Sequence, residues 1–517
     1  MTPDPAWTPA GGRCERALRF AVAGGFVAAL LLSLASAVLM SLGDDEAWLL
    51  AGVQGLAERG EFGHDYGPGA TTTGGVHTLA EFLLYLLAGN SVPVLRLFPL
   101  ACLVLLVREV FAWSREAGLS KMSAVLSGAV LFAVPGTTSL ASAAYGAVPA
   151  ALLVVAGVRR WSGAHQRRWV SAVLLGLAAA TRPQCLVIFP ALIFASIMGP
   201  REERAGLGRR ILLGLVVFAA GFGVLLAATP SALEAALIAQ DAAGLALWPS
   251  LPFVGQTWIG AERLLPFTLL VGATAIRPWL LDRQPDTQQR LLILLWFGWL
   301  GWSVWLLLTP ISHVRYLWTS LAAFACVLGF GLAQLHEWGL RNERPRIRIA
   351  ALAMGVACLV TASGAALRDL AVGEQNVITW ESRGLIPLGA AGYGHGGDQA
   401  RMAERLRRHP ASEPVAALDY GLEVAFLAGR PVKELRWHLH RWQKYGEPPP
   451  RWILATPHLN NRVVLARAGA RWMAENCVLE VAYGGYRLFR VVGQYPAKLT
   501  DLVTTGRAKD PSLRRNW

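Results

Sequence analysis

The first long apolar run of the chain, Phe20 to Leu42, ends in Gly43-Asp44-Asp45-Glu46-Ala47-Trp48. A run of this length is enough to span a bilayer as a helix. The adjacent carboxylates at its end lose hydration near hydrocarbon, and ionisable groups in such places are commonly functional. The structural alternative is a solvated loop, since most charged side chains simply face water. This stretch predicts a membrane-spanning chain and marks a candidate site.

The composition excludes an ordinary soluble protein. The chain has 517 residues, of which 54% are hydrophobic and only 16% charged, and its mean hydropathy is +0.41. Such values predict a polytopic α-helical membrane protein. The net charge of +14 comes from arginines in short clusters between apolar runs, where they set topology. We therefore expect no nucleic acid partner, and membrane lipids as the surroundings.

Cysteine and histidine patterns predict neither a disulfide framework nor a zinc site. Only Cys477 lies in the polar last third of the chain, so no disulfide can form within that part. His438 and His440 stand two apart among Arg and Trp residues, a surface pattern rather than a ligand spacing. Ala35-Ser36-Ala37 is typical of a signal peptidase site, but the apolar run continues past it, which favours an uncleaved first span.

Six basic clusters predict the topology. The positive-inside rule puts all of them in the cytoplasm, so an even number of crossings separates neighbouring clusters. This requires two short spans between Trp169 and Met198 that meet outside at Thr181-Arg182-Pro183. It also requires that Val76 to Leu87, too short to span comfortably, lie along the membrane surface as a helix. The clusters are Arg13/Arg16/Arg19, Arg108/Arg115/Lys121, Arg159/Arg160/Arg167/Arg168, Arg201/Arg204/Arg209/Arg210, Arg277/Arg283/Arg290 and Arg341/Arg344/Arg346/Arg348.

The apolar runs then give about eleven transmembrane helices, with the N-terminus inside and the C-terminus outside. The predicted transmembrane domain covers residues 1–367, with two long polar segments, 43–75 and 230–262, on the outer side. Its remaining runs are Met122 to Ala141, Ala143 to Val158, Ile211 to Ala228, Leu264 to Ala275, Leu291 to Leu308, Tyr316 to Leu332 and Ile349 to Leu367.

A soluble extracytoplasmic α/β domain is predicted over residues 368–517. From Arg368 onward the sequence becomes mixed and polar, with helical periodicity at Gln399 to Arg408. Short runs at 414–418, 452–455 and 486–491 have strand composition. Roughly 140 residues suffice for a separate hydrophobic core.

Polar residues that this topology places on the outer face form a candidate site. The acids Asp44 to Glu46 can provide a general base or metal ligands. Arg182 and Arg315 lie at outer ends of later spans, where a guanidinium can hold a lipid phosphate by forked hydrogen bonds. Acids and arginines together predict a cavity that opens to lipid.

Four motifs resemble the GT-C glycosyltransferases, the superfamily of protein O-mannosyltransferases and aminoarabinose transferases. Asp45-Glu46-Ala47 is similar to the acidic pair that follows the first span in those proteins. The shared order covers most of the membrane part, and an outer C-terminal domain also fits. The other three motifs are Gly89-Asn90-Ser91-Val92-Pro93-Val94-Leu95-Arg96-Leu97, Gly176-Leu177-Ala178-Ala179-Ala180-Thr181-Arg182-Pro183 and His313-Val314-Arg315-Tyr316-Leu317.

The resemblance implies a fold, a reaction and a partner. It implies a GT-C-like enzyme of the bacterial inner membrane that transfers a sugar, with inversion, from a polyprenyl-phosphate donor to a lipid, glycan or protein acceptor at the outer face. Asp45 would be the general base, while Asp44 and Glu46 would orient it, raise its pKa or bind a divalent cation. Arg315 and Arg182 would stabilise the lipid phosphate, with interface snorkelling as their structural alternative. The remaining substrate-binding candidates are His77, His313, Tyr316 and Trp248.

Two positions depart from the family pattern. Thr73-Gly74-Gly75-Val76-His77 stands where the family often has a proline pair, and Ala147 stands where many members have a second acid. If that acid holds a metal, this chain is metal-independent, so a divalent cation stays an open alternative and no other cofactor is expected. The alternative to an enzyme is a non-enzymatic membrane protein, either a lipid-carrier transporter or a degenerate GT-C scaffold. A transporter should carry charged residues at mid-bilayer, and these apolar runs contain few charged residues.

Overall fold

A computed structural model describes residues 9–227, 285–308, 314–372 and 396–505. Short gaps within these ranges lie at 40–41, 43, 61, 63–74, 135, 162–164, 199–203, 205, 411, 419–420, 457–462, 466 and 497–501. The predicted outer segment 230–262 and the predicted span Leu264 to Ala275 lie outside the described residues.

The first part of the chain forms a bundle of α-helices. Its helices are α1 Pro9–Leu39, α2 Asp44–Arg59, α3 Gly75–Ala88, α4 Val92–Leu95, α5 Leu97–Glu116, α6 Lys121–Ala129, α7 Thr137–Ala141, α8 Ala147–Trp161, α9 His165–Thr181, α10 Ile188–Met198, α11 Leu207–Ala227, α12 Pro285–Leu308, α13 Val314–Arg341 and α14 Pro345–Val372. Among the described residues, four helical stretches are long and apolar enough to cross a membrane: Gly12–Leu39, Leu207–Val224, Leu317–Arg341 and Pro345–Leu367. The total of about eleven spans stays a prediction.

Two helix breaks follow from proline and glycine. Arg182 separates α9 from the 3-10 turn Pro183–Val187 and α10, and its backbone is extended (φ −139°, ψ 109°), because a residue before proline avoids the helical region. The predicted break at this position is confirmed. The predicted run Met122 to Ala141 is not one helix: α6 passes into the 3-10 turn Val130–Ala133, and Gly136 (φ 79°) precedes α7. A left-handed residue cannot continue a right-handed helix.

Ion pairs hold arginines of three basic clusters at one end of the bundle. Arg159 pairs with Glu109 and with Glu116, each at 2.7 Å, and Arg290 pairs with Glu116 at 3.0 Å. These contacts join α8 and α12 to α5. Ser120, four residues after Glu116, donates to Glu337 near the end of α13 at 3.0 Å, and Arg348 at the start of α14 pairs with Glu15 near the start of α1 at 3.3 Å. Arginines of three of the six basic clusters therefore lie at one end of the bundle, and the topology stays a prediction.

The C-terminal part is an α/β unit. It contains helices α15 Gly396–Arg407, α16 Leu422–Ala428, α17 Leu435–Tyr445 and α18 Arg467–Asn476. Its strands are β1 Val415–Ala417, β2 Lys433–Glu434, β3 Trp452–Ala455, β4 Val463–Leu465, β5 Cys477–Tyr483, β6 Tyr486–Val491 and β7 Val503–Thr505. Five of them form a sheet of order β2-β1-β3-β6-β5, in which β1 is parallel to both neighbours and β6 is antiparallel to β3 and β5. Strands β4 and β7 form a separate two-stranded sheet. The predicted strands at 414–418, 452–455 and 486–491 are confirmed by β1, β3 and β6.

The α/β unit packs directly on the helix bundle. Gln399 of α15 exchanges two hydrogen bonds of 3.0 Å with the backbone of Leu42, and Asn90 donates to the carbonyl of Phe426 at 2.7 Å. One hydrophobic cluster contains residues of both parts, including Leu50 of α2 and Leu422 of α16. The α/β unit therefore covers the end of the bundle at which α2 lies.

Candidate active site

The candidate site lies at the end of the bundle opposite the basic clusters. Arg96, between α4 and α5, donates to the carbonyl of Ala37 near the end of α1 at 3.2 Å, whereas Glu15 lies near the start of that helix. The rise of an α-helix separates these two positions by about 33 Å. The first turns of α2 and α3 meet the turn at residues 142–146 here.

Glu46, in the first turn of α2, is bound by Arg96. Arg96 donates from Nε to Oε1 at 2.8 Å and from Nη2 to Oε2 at 2.6 Å, and both side chains are fully buried. The parallel arrangement is the forked geometry in which arginine binds a carboxylate most strongly. Burying either charge by itself would be costly, so each requires the other. The pair fixes the first turn of α2, where Asp45 lies.

The peptide of Ala144 is held from both sides. Its N–H donates to Oε1 of Glu46 at 2.7 Å, and its carbonyl accepts a hydrogen bond from Nε2 of His77 at 3.1 Å. A carbonyl only accepts, so Nε2 of His77 carries the proton and Nδ1 carries the lone pair in the neutral ring. One peptide thus ties the start of α2 to the start of α3.

His77 faces a second buried acid, Glu81, one turn later on α3. Nδ1 of His77 and Oε1 of Glu81 are 3.8 Å apart, too far for a hydrogen bond. Among the described residues, neither carboxyl oxygen of Glu81 nor Nδ1 of His77 has a hydrogen-bond partner, and both side chains are almost completely buried. The helix α3 is not among the stretches long enough to cross a membrane.

Burial shifts both groups of this pair toward their neutral forms. It lowers the pKa of His77 to about 4; the hydrogen bond to Ala144 opposes this shift and the positive charge of Arg182 adds to it. Burial also raises the pKa of Glu81 well above its ordinary value, and the negative charge of Glu46 acts in the same direction. Burial therefore favours the neutral imidazole and the protonated carboxyl in this pair.

Arg182 is a further buried polar residue beside Glu46, His77 and Glu81. It is 5% exposed and follows Thr181, the last residue of α9. A Cβ built on Gly146 would lie 3.4 Å from Cγ2 of Thr181 and 3.7 Å from Cβ of His77. The end of α9, the 142–146 turn and the start of α3 therefore lie close together, with little room for a side chain at Gly146.

Of the predicted site residues, Glu46 and His77 both bind the peptide of Ala144, and Arg182 lies near enough to His77 for its charge to act on the ring. Asp44 and Asp45 have their backbone in the first turn of α2, and Arg315 and Tyr316 in the first turn of α13; their side chains are not among those described. His313 and Trp248 lie outside the described residues altogether. The roles of all these residues stay predictions.

The surroundings of Ala147 and Glu46 bear on whether the site could bind a divalent cation. Ala147 is the first residue of α8 and is fully buried in the hydrophobic core. Among the described side chains, no group of three or more His, Cys, Asp or Glu residues could hold a metal ion. The carboxylate of Glu46 accepts three hydrogen bonds from Arg96 and Ala144, and the divalent cation stays an open alternative.

Two residues of the site were missed by sequence reasoning. Arg96 stands in the Gly89 to Leu97 motif but received no role, because its partner lies fifty residues away in sequence. Glu81 is a lone acid inside the apolar run Val76 to Leu87. An acid on an otherwise apolar surface helix is a signal that it faces the protein.

An open groove lies beside this site, between α2 and the α/β unit. Its polar lining includes Gln54, Glu58, Arg59 and Arg430. Both walls come from helices that pack on each other, α2 and α16. The groove runs along the second half of α2, away from the acidic first turn.

The fold is similar to that of two solved membrane enzymes. It matches ArnT from Cupriavidus metallidurans bound to undecaprenyl phosphate with a TM-score of 0.61 and 12% identity, over 90% of this chain and 97% of that one. It also matches the archaeal oligosaccharyltransferase AglB from Archaeoglobus fulgidus, in complex with an inhibitory peptide and a dolichol-phosphate, with a TM-score of 0.51 and 12% identity, over 92% of this chain and 75% of that one. No protein-family model matches the sequence, and no curated protein matches it.

Both of these structures are GT-C superfamily glycosyltransferases. The chain therefore has a GT-C-like fold over about nine tenths of its length, which confirms the fold expected from the four sequence motifs. Together with the long apolar helices, this fold identifies the chain as a membrane protein.

Proposed function

We propose that the protein is a membrane glycosyltransferase that moves a sugar from a polyprenyl-phosphate donor to an acceptor hydroxyl or amine. The observation that carries the proposal is a buried polar cluster at one end of a GT-C-like bundle, in which Glu46 and His77 bind the same peptide and the charge of Arg182 acts on His77. The solved neighbours were bound to undecaprenyl phosphate and to a dolichol-phosphate. Their ligands support a lipid phosphate as the leaving group.

In the proposed reaction the acceptor oxygen or nitrogen forms a bond to the anomeric carbon of the sugar. The bond from that carbon to the phosphate oxygen breaks, and the lipid phosphate leaves with the electron pair, so the configuration inverts. Asp45 takes the proton of the acceptor, a role worth about 10²–10⁴ in rate. Since a phosphate is already a good leaving group, the protein mainly needs to position the reactants and stabilise charge.

The other residues have supporting roles in this proposal. Arg182 and Arg315 donate to the lipid phosphate, and Tyr316 and His313 lie beside Arg315 at the same interface. Glu46 is a positioning residue, because its carboxylate binds the guanidinium of Arg96 and the N–H of Ala144. Asp44 orients Asp45. Trp248 contacts the acceptor from the second outer segment.

We further propose that the reaction takes place at the outer face of a bacterial inner membrane. The bundle then has about eleven spans, with the basic clusters in the cytoplasm and the α/β unit over residues 368–517 outside. The acceptor, a lipid, glycan or protein, approaches from the side of the α/β unit. A divalent cation has no role in the proposed reaction.

Binding of a lipid phosphate tests the proposal. Arg182→Ala should weaken binding of undecaprenyl phosphate by about ten- to hundred-fold, since a hydrogen bond to a charged group is worth about 1.5–3 kcal/mol. Native mass spectrometry of the purified full chain measures the affinity. The matched control is Arg341→Ala, an exposed arginine at the other end of the bundle, which should bind as wild type does. Equal binding by wild type and Arg182→Ala would remove Arg182 from the site.

A degenerate GT-C scaffold is the second candidate, and the buried Ala147 favours it, since an acid was expected at that position. The two candidates differ in turnover. A scaffold binds lipid phosphate without transferring sugar, whereas the enzyme releases lipid phosphate only when an acceptor is present.

A further inference from the structure

The sheet of the α/β unit has one face toward the bundle and one face away from it. Along β3, Trp452 and Leu454 belong to the hydrophobic cluster that contains Leu50 of the bundle, whereas Ile453 and Ala455 belong to a cluster whose described members all come from the α/β unit. Successive residues of a strand point to opposite faces. Helices α17 and α18 pack in the second cluster. We call these two helices, with the sheet residues beneath them, the outward face.

The cations of the two faces differ in their partners. On the side toward the bundle, the described arginines of α15 and one arginine of β6 each form an ion pair with an acid: Arg401, Arg405, Arg407, Arg408 and Arg490. On the outward face, four exposed cations form no ion pair with any described residue: Lys444, Arg467, Arg471 and Arg487.

Strand β6 shows this contrast within a few residues. Arg490 lies opposite Trp452, on the side toward the bundle, and pairs with Glu480 at 3.8 Å. Arg487 lies opposite Ala455, on the outward face, and is exposed. The unpaired cations are therefore a property of the outward face and not of the α/β unit as a whole.

The described acids of the outward face do not neutralise its charge. Glu447 binds Lys433 at 2.8 Å and also pairs with Arg441. Glu475, near the end of α18, is exposed and forms no ion pair with a described residue. The outward face thus has a net positive charge, which attracts anions from solution.

Aromatic rings join the two helices of the outward face into one surface. The ring of Tyr495 lies 5.7 Å from that of Trp442 on α17 and stacks on that of Trp472 on α18 at 4.8 Å between centroids. Lys444 and Arg471 follow or precede these tryptophans within two residues. The cations of α17 and α18 therefore belong to a continuous patch.

The side chains of this patch fit a charged sugar polymer. Tyr445 is 61% exposed, and its ring centroid lies 5.1 Å from Nζ of Lys444 and 5.9 Å from Cζ of Arg441. Such a ring can stack on the C–H face of a sugar while the cations beside it bind a carboxylate or phosphate. Arg467 and Arg471 lie one turn apart on α18, with Cβ atoms about 5–6 Å apart, so they can bind anionic groups on neighbouring sugars.

We propose that the outward face binds an anionic glycan, a sugar polymer with carboxylate or phosphate groups. The unpaired cations bind the anionic groups, and Tyr445 stacks on a sugar ring. A lipid headgroup fits this face less well, because the face points away from the bundle that the membrane surrounds. The binding requires no sugar transfer, so it does not depend on the function proposed above.

Binding of defined oligomers to the full chain in phosphatidylcholine nanodiscs tests the proposal. The probes have equal length: oligogalacturonate, which has a carboxylate on each sugar, neutral dextran, and oligoglutamate, which has the charge without the sugar. Wild type should bind oligogalacturonate about two- to ten-fold more tightly than oligoglutamate because of the stacked ring. It should bind dextran most weakly, and salt should weaken the binding of both anions.

Removal of three outward cations should weaken the binding of oligogalacturonate by roughly ten- to hundred-fold, since each exposed ion contact is worth about two- to five-fold. Tyr445→Ala should weaken the binding of oligogalacturonate but not that of oligoglutamate. Surface substitutions of this kind should leave the fold intact. The triple variant is Lys444→Gln/Arg471→Gln/Arg487→Gln.

A matched control removes the same charge from the side toward the bundle and should bind as wild type does. Equal losses in both triple variants, or unchanged binding in the outward variant, would overturn the proposal. Equal binding of oligoglutamate and oligogalacturonate by wild type would also overturn it, in favour of an acidic protein partner, and this comparison decides the question even if a variant fails to fold. Glycan binding without sugar transfer would contradict only the proposed function. The control replaces three arginines that are 54–68% exposed: Arg401→Gln/Arg408→Gln/Arg490→Gln.

Discussion

The ion pair of Glu46 and Arg96 should dominate the stability of the candidate site. We consider Arg96→Met, which keeps much of the apolar stem but removes the guanidinium. In the variant the carboxylate of Glu46 stays fully buried and retains only the hydrogen bond from Ala144. An uncompensated buried charge costs about 3–5 kcal/mol, which lowers the folding equilibrium constant by roughly two to almost four orders of magnitude.

A double-mutant cycle separates this cost from the value of the pair. Glu46→Gln keeps an acceptor for the N–H of Ala144 but leaves Arg96 buried without a counter-charge, so it should destabilise the protein to a similar extent. The double variant Glu46→Gln/Arg96→Met buries no charge and should recover most of the loss. Equilibrium unfolding of the purified protein in mixed micelles gives the free energies.

An exposed pair provides the control for this cycle. Glu404 and Arg407 of α15 form an ion pair with both side chains about half exposed, and such pairs are worth about 0–1 kcal/mol. Arg407→Met should therefore unfold close to wild type. If Arg96→Met were as stable as Arg407→Met, or if the double variant were less stable than both single variants, the account of the buried pair would be wrong.

Three further predictions concern binding, topology and acid stability. Arg315→Lys should weaken binding of undecaprenyl phosphate and Arg315→Ala should weaken it more, because a lysine cannot form the arginine fork; equal affinity of both would make Arg315 a structural anchor. Cysteines introduced by Ser162→Cys and Glu202→Cys should resist a membrane-impermeant label applied from outside, while Cys477 should react if its side chain is accessible; outside labelling of either loop would contradict the span count. Although burial by itself raises the pKa of Glu447, hydrogen bonds from Lys433 and Arg441 lower it below its ordinary value, so its stabilising effect is present above about pH 4.3 and lost as the pH falls through the lowered pKa. Wild type should thus protect the 433–447 segment from hydrogen exchange better than Glu447→Gln at neutral pH but not in acid, and equal protection at neutral pH would refute this.

The features that the sequence predicts well are local ones. The break at Arg182 follows from the proline after it, and the helix α3, Gly75–Ala88, was expected as Val76 to Leu87 from a short apolar run. Strands β1, β3 and β6 follow from short runs of β-branched and aromatic residues. In each case the deciding interaction lies within a few residues of the chain.

The features that the sequence does not predict depend on contacts between distant segments. The partner of Glu46 is Arg96, fifty residues away, and its carboxylate also accepts a hydrogen bond from the N–H of Ala144, almost a hundred residues away. The sequence predicts Glu46 at the reaction centre because it adjoins Asp45. No local pattern indicates that its carboxylate is hydrogen-bonded to distant residues. The run Met122 to Ala141 was expected as one span because apolar composition does not reveal a left-handed glycine.

Sugar transfer by the wild-type protein and by Asp45→Asn tests the central claim most directly. The assay supplies a polyprenyl-phosphate sugar to the purified protein in nanodiscs with a mixture of lipid, glycan and peptide acceptors, and follows release of lipid phosphate. We predict turnover by wild type and a loss of about 10²–10⁴ in Asp45→Asn, with Asp44→Asn less affected and all three proteins equally well folded. Release of lipid phosphate by Asp45→Asn at the wild-type rate would contradict the assignment of Asp45 as the general base.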